Sequence, residues 1–277
     1  MLWAGLALAV PGAAGAAPAT NDTPPAQSVS FSADAAGSAG LVNQAGASLG
    51  RQTSAGADFS FLARTRVSGP WYAGWGVAAD AYAFHGAIGF PLEHLQDFAG
   101  QLSLEYFQGS EAVGEVVLHP GFYFGGHPDA GSFDIPVEAV TGIPLTTGLS
   151  GVLGVDDGRL YRDPVPVVGL VWTPTTGIRV EAIYPEPAVI MDLGKEEELR
   201  LAGHLTGGGF LVGPKTQRTR LEYDSYRVGL TYARQVGRRL KLSATAGIEL
   251  ERVFDFYRIG RRAEADNAPY AQLSLEF

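Results

Sequence analysis

The sequence predicts an all-β fold: one closed antiparallel transmembrane β-barrel of about 12 strands in meander order, with 10 or 14 as the neighbouring solutions. Three observations carry this. The chain ends Pro269-Tyr270-Ala271-Gln272-Leu273-Ser274-Leu275-Glu276-Phe277, alternating apolar and polar from Ala271 and stopping on an aromatic. In 240–250, Leu240, Leu242, Ala244, Ala246, Ile248 and Leu250 share one face; Lys241, Ser243, Thr245, Gly247 and Glu249 share the other. No charge falls on the first face, and a Lys or Arg facing lipid at the midplane costs about 2–4 kcal/mol. Connections also differ in length. The segment 234–239 is a short turn, whereas 257–267 is long, charged and without strand pattern. Bacterial barrels have short periplasmic turns and long extracellular loops; placing Phe277 at the periplasmic side makes 234–239 periplasmic and 257–267 extracellular, and the lengths agree with that assignment.

In chain order, 1–17 reads as a secretory signal peptide. An apolar run from Leu2 to Val10 is followed by small residues with an Ala14-x-Ala16 spacing, and cleavage is expected near Ala16 or Ala17. No Lys or Arg precedes the run. Residues 18–27 are a Pro-rich leader read as flexible, and 28–277 is the barrel. Its strands are expected at 28–35, 41–51, 58–67, 71–84, 99–108, 113–124, 132–140, 164–173, 177–193 and 198–213. The alternating faces of 225–232, 240–250 and the terminal strand complete the series. Turn chemistry separates many of them: Ser68-Gly69-Pro70, Gly125-Gly126, Asp156-Asp157-Gly158 and Pro174 to Gly177. At about 20–22 residues per strand and connection, with about 10 of them in the membrane, the chain after its leader holds about 12 strands. Aromatics gather near strand ends (Trp71, Tyr72 and Trp75; Trp172; Tyr184; Phe254, Phe256 and Tyr257), as in interfacial girdles.

Composition agrees. Mean hydropathy is +0.06, too polar for a helical membrane protein, and no segment approaches the ~20 apolar residues of a spanning helix. Lipid contact therefore implies a closed barrel. The chain has no cysteine, which removes disulfides, thiolate metal sites and cysteine nucleophiles. The net charge of -9 opposes nucleic-acid binding.

The terminal strand resembles the C-terminal strand of bacterial outer-membrane barrels, and that likeness implies that Phe277, Leu275 and Leu273 form an assembly signal read by the insertion machinery. The segment from Asp163 to Pro174, the strand ending Tyr184-Pro185-Glu186-Pro187, the run Asp224 to Gly229 and Asn267-Ala268-Pro269-Tyr270 together resemble a family of uncharacterised outer-membrane barrel proteins. The resemblance covers roughly the C-terminal half. It implies a barrel in the bacterial outer membrane and no activity.

The inward faces collect charges: Arg64, Arg66, Glu105, Arg179, Glu181, Arg200, Arg227, Lys241, Glu249 and Glu251 are candidate lumen-lining residues. Eight strands leave an interior filled by side chains and 16–18 leave an aqueous channel, so about 12 allow an ion-paired fill or a narrow pore, and the mixed signs favour neither ion. No enzyme is expected: none of the five His falls in a motif and G-x-S-x-G is absent. Gly207-Gly208-Gly209 lacks the context of a phosphate loop, and Asp156-Asp157-Gly158 reads as a turn, so no cofactor or metal is expected. The partners expected are outer-membrane lipid and the insertion machinery, with the protein monomeric. The functional expectation is a narrow passive channel or a structural barrel with ligand-binding loops. Its alternatives are a soluble periplasmic or secreted all-β binding protein and, remotely, an outer-membrane hydrolase.

Overall fold

The structure is a computed structural model. It describes residues 24–277 apart from 25, 88, 89, 91, 109, 110, 158, 159, 161–163, 195, 215, 217, 238, 258 and 259. The expected signal peptide, 1–17, lies outside the described residues, as does most of the expected leader, 18–27.

Every long alternating segment is a strand. In order they are β1 (Gln27–Asn43), β2 (Ser48–Ser68), β3 (Trp71–His85), β4 (His94–Gln108), β5 (Glu111–Leu118), β6 (Gly121–Phe124), β7 (Phe133–Asp134), β8 (Val137–Thr146), β9 (Leu149–Asp157), β10 (Val165–Thr175), β11 (Ile178–Tyr184), β12 (Ala188–Asp192), β13 (Glu197–Val212), β14 (Thr219–Val236), β15 (Leu240–Phe256), β16 (Arg261–Ala265) and β17 (Ala268–Glu276). Three consecutive pairs, β5–β6, β7–β8 and β16–β17, each run along one stave, so the barrel has 14 staves. Pro120 and Pro136 sit at two of these breaks. Proline has no N–H to give to a ladder, and His119 donates instead across the gap to the Pro136 carbonyl at 2.9 Å. Each stave pairs antiparallel with the next, and β17 pairs antiparallel with β1 to close the ring. Closure leaves no free edge, which is the condition for β-structure in lipid.

The count exceeds 12 for two local reasons. The segment 149–157 is strand β9, although Gly151 and Gly154 break up its apolar pattern. The segment expected as one strand, 177–193, is two: β11 and β12, joined through Pro185-Glu186-Pro187. Two other expectations shift. The segment 41–51 contains the β1–β2 turn, and 257–267 contains strand β16.

The two faces of the wall differ as the alternation requires. On β4, Leu95, Asp97, Ala99, Gln101, Ser103 and Glu105 are buried, while Phe98, Leu102 and Leu104 are exposed. Phe31, Phe59, Leu153, Leu170, Leu201, Leu230, Ile248 and Leu273 continue this exposed apolar surface around the ring. A soluble sandwich would bury such a surface between two sheets; here one closed sheet turns it outward. At the rim that holds Phe277, the exposed Trp71 meets Tyr106 edge-on at 5.1 Å, and Trp172 is also exposed. The turns after β2, β8, β10 and β14 lie at this C-terminal rim, and the connections after β1, β3, β9 and β13 lie at the far rim.

Candidate functional site

Inner-face side chains divide the barrel into three zones. Near the C-terminal rim they are polar and partly exposed: Ser28, Ser30 and Ser32 on β1, and Lys241, Ser243 and Thr245 on β15. Further along the same strands they become buried: Ala36, Ala39 and Leu41 on β1, and Glu249, Arg252, Phe254 and Phe256 on β15. The interior is thus a vestibule open at one rim and filled toward the other.

Ion pairs occupy the middle zone. Arg227 contacts Asp34 at 2.9 Å and Glu249 at 3.1 Å, and its guanidinium lies 5.3 Å from the Tyr270 ring centre. Arg252 donates to Glu249 through Nε at 2.9 Å and to Gln52 Oε1 at 3.1 Å, and Ser225 donates to Glu249 at 2.7 Å. Arg227, Glu249 and Arg252 are all buried. A charge in that position is tolerated only when paired and hydrogen-bonded, and each of the three is. Nearer the C-terminal rim, Arg64 donates to Glu105 at 2.8 Å, Arg179 and Arg200 flank Glu181 at 2.7 and 3.5 Å, and Lys241 lies 3.5 Å from Glu198.

Toward the far rim, Leu41, Tyr82, Phe84, Leu95, Tyr123, Phe210, Leu221, Tyr223, Phe254 and Phe256 form one buried apolar cluster, with Phe90 packed on it. Its rings meet across the barrel: Tyr82 and Tyr223 are 5.3 Å apart, Phe84 and Phe254 5.1 Å, and Tyr223 stacks on Phe254 at 5.2 Å. These separations fit favourable edge-on and offset aromatic pairs. The cluster is a plug in the lumen. Strand β13 helps close it: after Gly203 it leaves β12, passes Gly207 and Gly208 at φ +133° and +149°, and touches β6 in parallel at Leu211 and Phe124. Such φ values strain residues with a Cβ, and at Gly207 a Cβ would meet the Tyr223 carbonyl oxygen at 1.9 Å.

Of the candidate residues, Arg64, Glu105, Arg179, Glu181, Arg200, Arg227, Lys241 and Glu249 all join these inner ion pairs. Arg66 sits at the rim instead, exposed and donating to the Gly69 carbonyl at 2.7 Å. Glu251 departs from the expectation. It is the extra residue of a β-bulge, at φ +50° and exposed, because Ser225 pairs with Arg252 and Tyr226 with Leu250. The bulge inverts the alternation, as one inserted residue must, so Arg252 points inward in its place. Phe254 and Phe256 are likewise plug residues and not girdle residues. The sequence reasoning missed Arg252, Asp34, Gln52 and the aspartate row Asp58–Asp80–Asp97, which are direct cross-strand partners on β2, β3 and β4. The parity of β2 to β4 held the signal for that row; nothing local marked the bulge.

The outer face bears the three residues of the expected assembly signal. Leu273, Leu275 and Phe277 are exposed on one side of the last strand. Phe277 and Val29 exchange backbone hydrogen bonds at 2.9 and 3.2 Å, the final pair of the closing seam.

One known structure shares this architecture. An outer-membrane channel of the COG4313 group from Pseudomonas putida F1 superposes with a TM-score of 0.51 at 11% identity, over 94% of this chain and 98% of that one. The chain has the fold of an outer-membrane β-barrel. A mutant of the TodX monoaromatic hydrocarbon channel aligns over 94% of this chain and 92% of its own, at 9% identity and a TM-score of 0.35. No protein-family model and no curated protein matches the chain, so the resemblance to an uncharacterised family stands at the level of this fold.

Proposed function

We propose that this protein is a monomeric barrel of the bacterial outer membrane that acts as a narrow passive channel, closed near its extracellular end in the conformation described. The C-terminal rim is periplasmic in this reading. Phe277, Leu275 and Leu273 are the signal that the insertion machinery reads, and the signal peptide is removed on export. The observation that carries the channel reading is the exposure gradient along β1 and β15. A polar vestibule enters from the C-terminal rim, passes the ion-paired ring and stops at an aromatic plug. Fourteen staves lie between the eight that side chains fill and the 16–18 that hold an aqueous channel, which leaves room for a pore once the plug shifts. The fold shared with a protein described as an outer-membrane channel supports the same reading.

Planar-bilayer recording of the refolded protein tests it. The wild type is expected to conduct weakly or in brief openings, and Tyr223→Ala with Phe254→Ala to conduct more and for longer. Silence from both proteins sinks the channel. It leaves the second reading, a structural barrel whose loops bind ligands, which the cross-lumen ring contacts favour. Deletion of Phe277 is expected to lower the outer-membrane level of the protein; unchanged levels in fractionated cells would remove its signal role.

A further inference from the structure

The inner wall is not electrically even. Arginines concentrate on β11, β13, β14 and β15, where Glu181 and Glu249 answer them. On the opposite arc carboxylates accumulate strand by strand. Glu105 on β4 is the direct cross-strand partner of Glu115 on β5. Glu138 on β8 pairs directly with Asp156 on β9 and, through Val117, is the diagonal neighbour of Glu115. Strands are about 4.8 Å apart, so these groups form a continuous acidic row across four staves. Arg64 neutralises Glu105 at one end.

Glu138 gives the row its meaning. It retains only 9% of its exposure, its Oε1 is buried without a hydrogen-bond partner, and its cross-strand and diagonal neighbours Asp156 and Glu115 are carboxylates too. A buried carboxylate with no donor is costly to leave so, and a donor from outside the chain would satisfy it. The same inner face then turns apolar. Val140, two residues along β8, joins Val152, Val167 and Val171 in a buried cluster with Ile183 packed against it. The row and the cluster adjoin on β8 and β9. Among the described residues these carboxylates do not converge as metal ligands do; they are spread along a wall beside an apolar patch.

We propose that the inner face of β5, β8 and β9 binds an organic ammonium, whose charged head donates to Glu138 and Glu115 and whose apolar body lies on the valine cluster. The proposal rests on the channel reading, since the solute reaches this wall through the lumen. Titration calorimetry of the refolded full-length protein in detergent tests it, with hexylammonium, hexanol and magnesium as separate probes and micelle blanks. Saturable hexylammonium binding is expected, with none from hexanol or magnesium. Glu138→Gln should weaken it about tenfold or more, the worth of a charge-assisted hydrogen bond, while Glu138→Asp keeps part of it. If Glu138→Gln lacks the heat-modifiable gel mobility of a folded barrel, Glu115→Gln serves as the charge-removing variant. Equal binding of hexanol, displacement by magnesium, or no effect of removing the charge overturns the site, and so does an absence of binding by the wild type. Conductance separates the two readings: a conducting barrel without ammonium binding loses only this site, and a binding barrel that never conducts loses only the channel.

Discussion

The long-stave half of the barrel and its short-stave wall solve the same problem differently. On one side stand β1, β2, β14 and β15, with 17, 21, 18 and 17 residues. On the other stand β8, β9 and β10, with 10, 9 and 11. The long staves extend past the ion-paired ring and bring Tyr223 and Phe254 over it, against Phe84 of β3. The short wall ends sooner and offers only a small valine cluster and a row of carboxylates. Stability is therefore concentrated where charges are answered and rings interlock. The opposite wall is left with chemistry that its own neighbours do not satisfy.

Substitutions on the two sides should separate accordingly when urea unfolding of the refolded protein is followed in lipid vesicles. Arg252→Met has the largest expected effect, a loss of about 3–5 kcal/mol, because it takes from buried Glu249 one of its two cationic partners and from buried Gln52 its donor. A loss under about 1 kcal/mol would mean that the network is dispensable. Phe254→Ala follows closely, at about 3–5 kcal/mol, since it empties a fully buried aromatic site in the plug. On the short wall, Val167→Ala should cost about 1–2 kcal/mol, the value of two buried methyl groups; a larger loss would place more of the fold's stability there than the comparison allows. Arg262→Ala, which removes an exposed pair with Glu264, should change stability by less than about 0.5 kcal/mol.

How far the sequence could be read follows the same division. The charge-free face of β15 and the alternation of β17 were legible because period two is an outright geometric property of a strand. Arg227 and Glu249 followed from parity alone. Parity fails at a bulge, so Glu251 was expected inside and Arg252 was overlooked, and the insertion depends on pairing with β14 that no local pattern announces. Phe254 and Phe256 share a composition with girdle aromatics; only the strands opposite them make them a plug. Strand β9 was hidden because glycine carries no hydropathy signal, and β11 and β12 merged because each is shorter than the window that reveals alternation.

The seam has a kinetic consequence. Gln272 donates to Ser32 across 240 residues of sequence, and Arg252 to Gln52 across 200. Contacts of such separation form late, after a long loop-closure cost. Until β17 meets β1, the sheet carries two unpaired edges, each able to template pairing with another chain. The interval before that meeting is the most aggregation-prone part of this protein's life, and a chaperone that shields either edge would shorten it most.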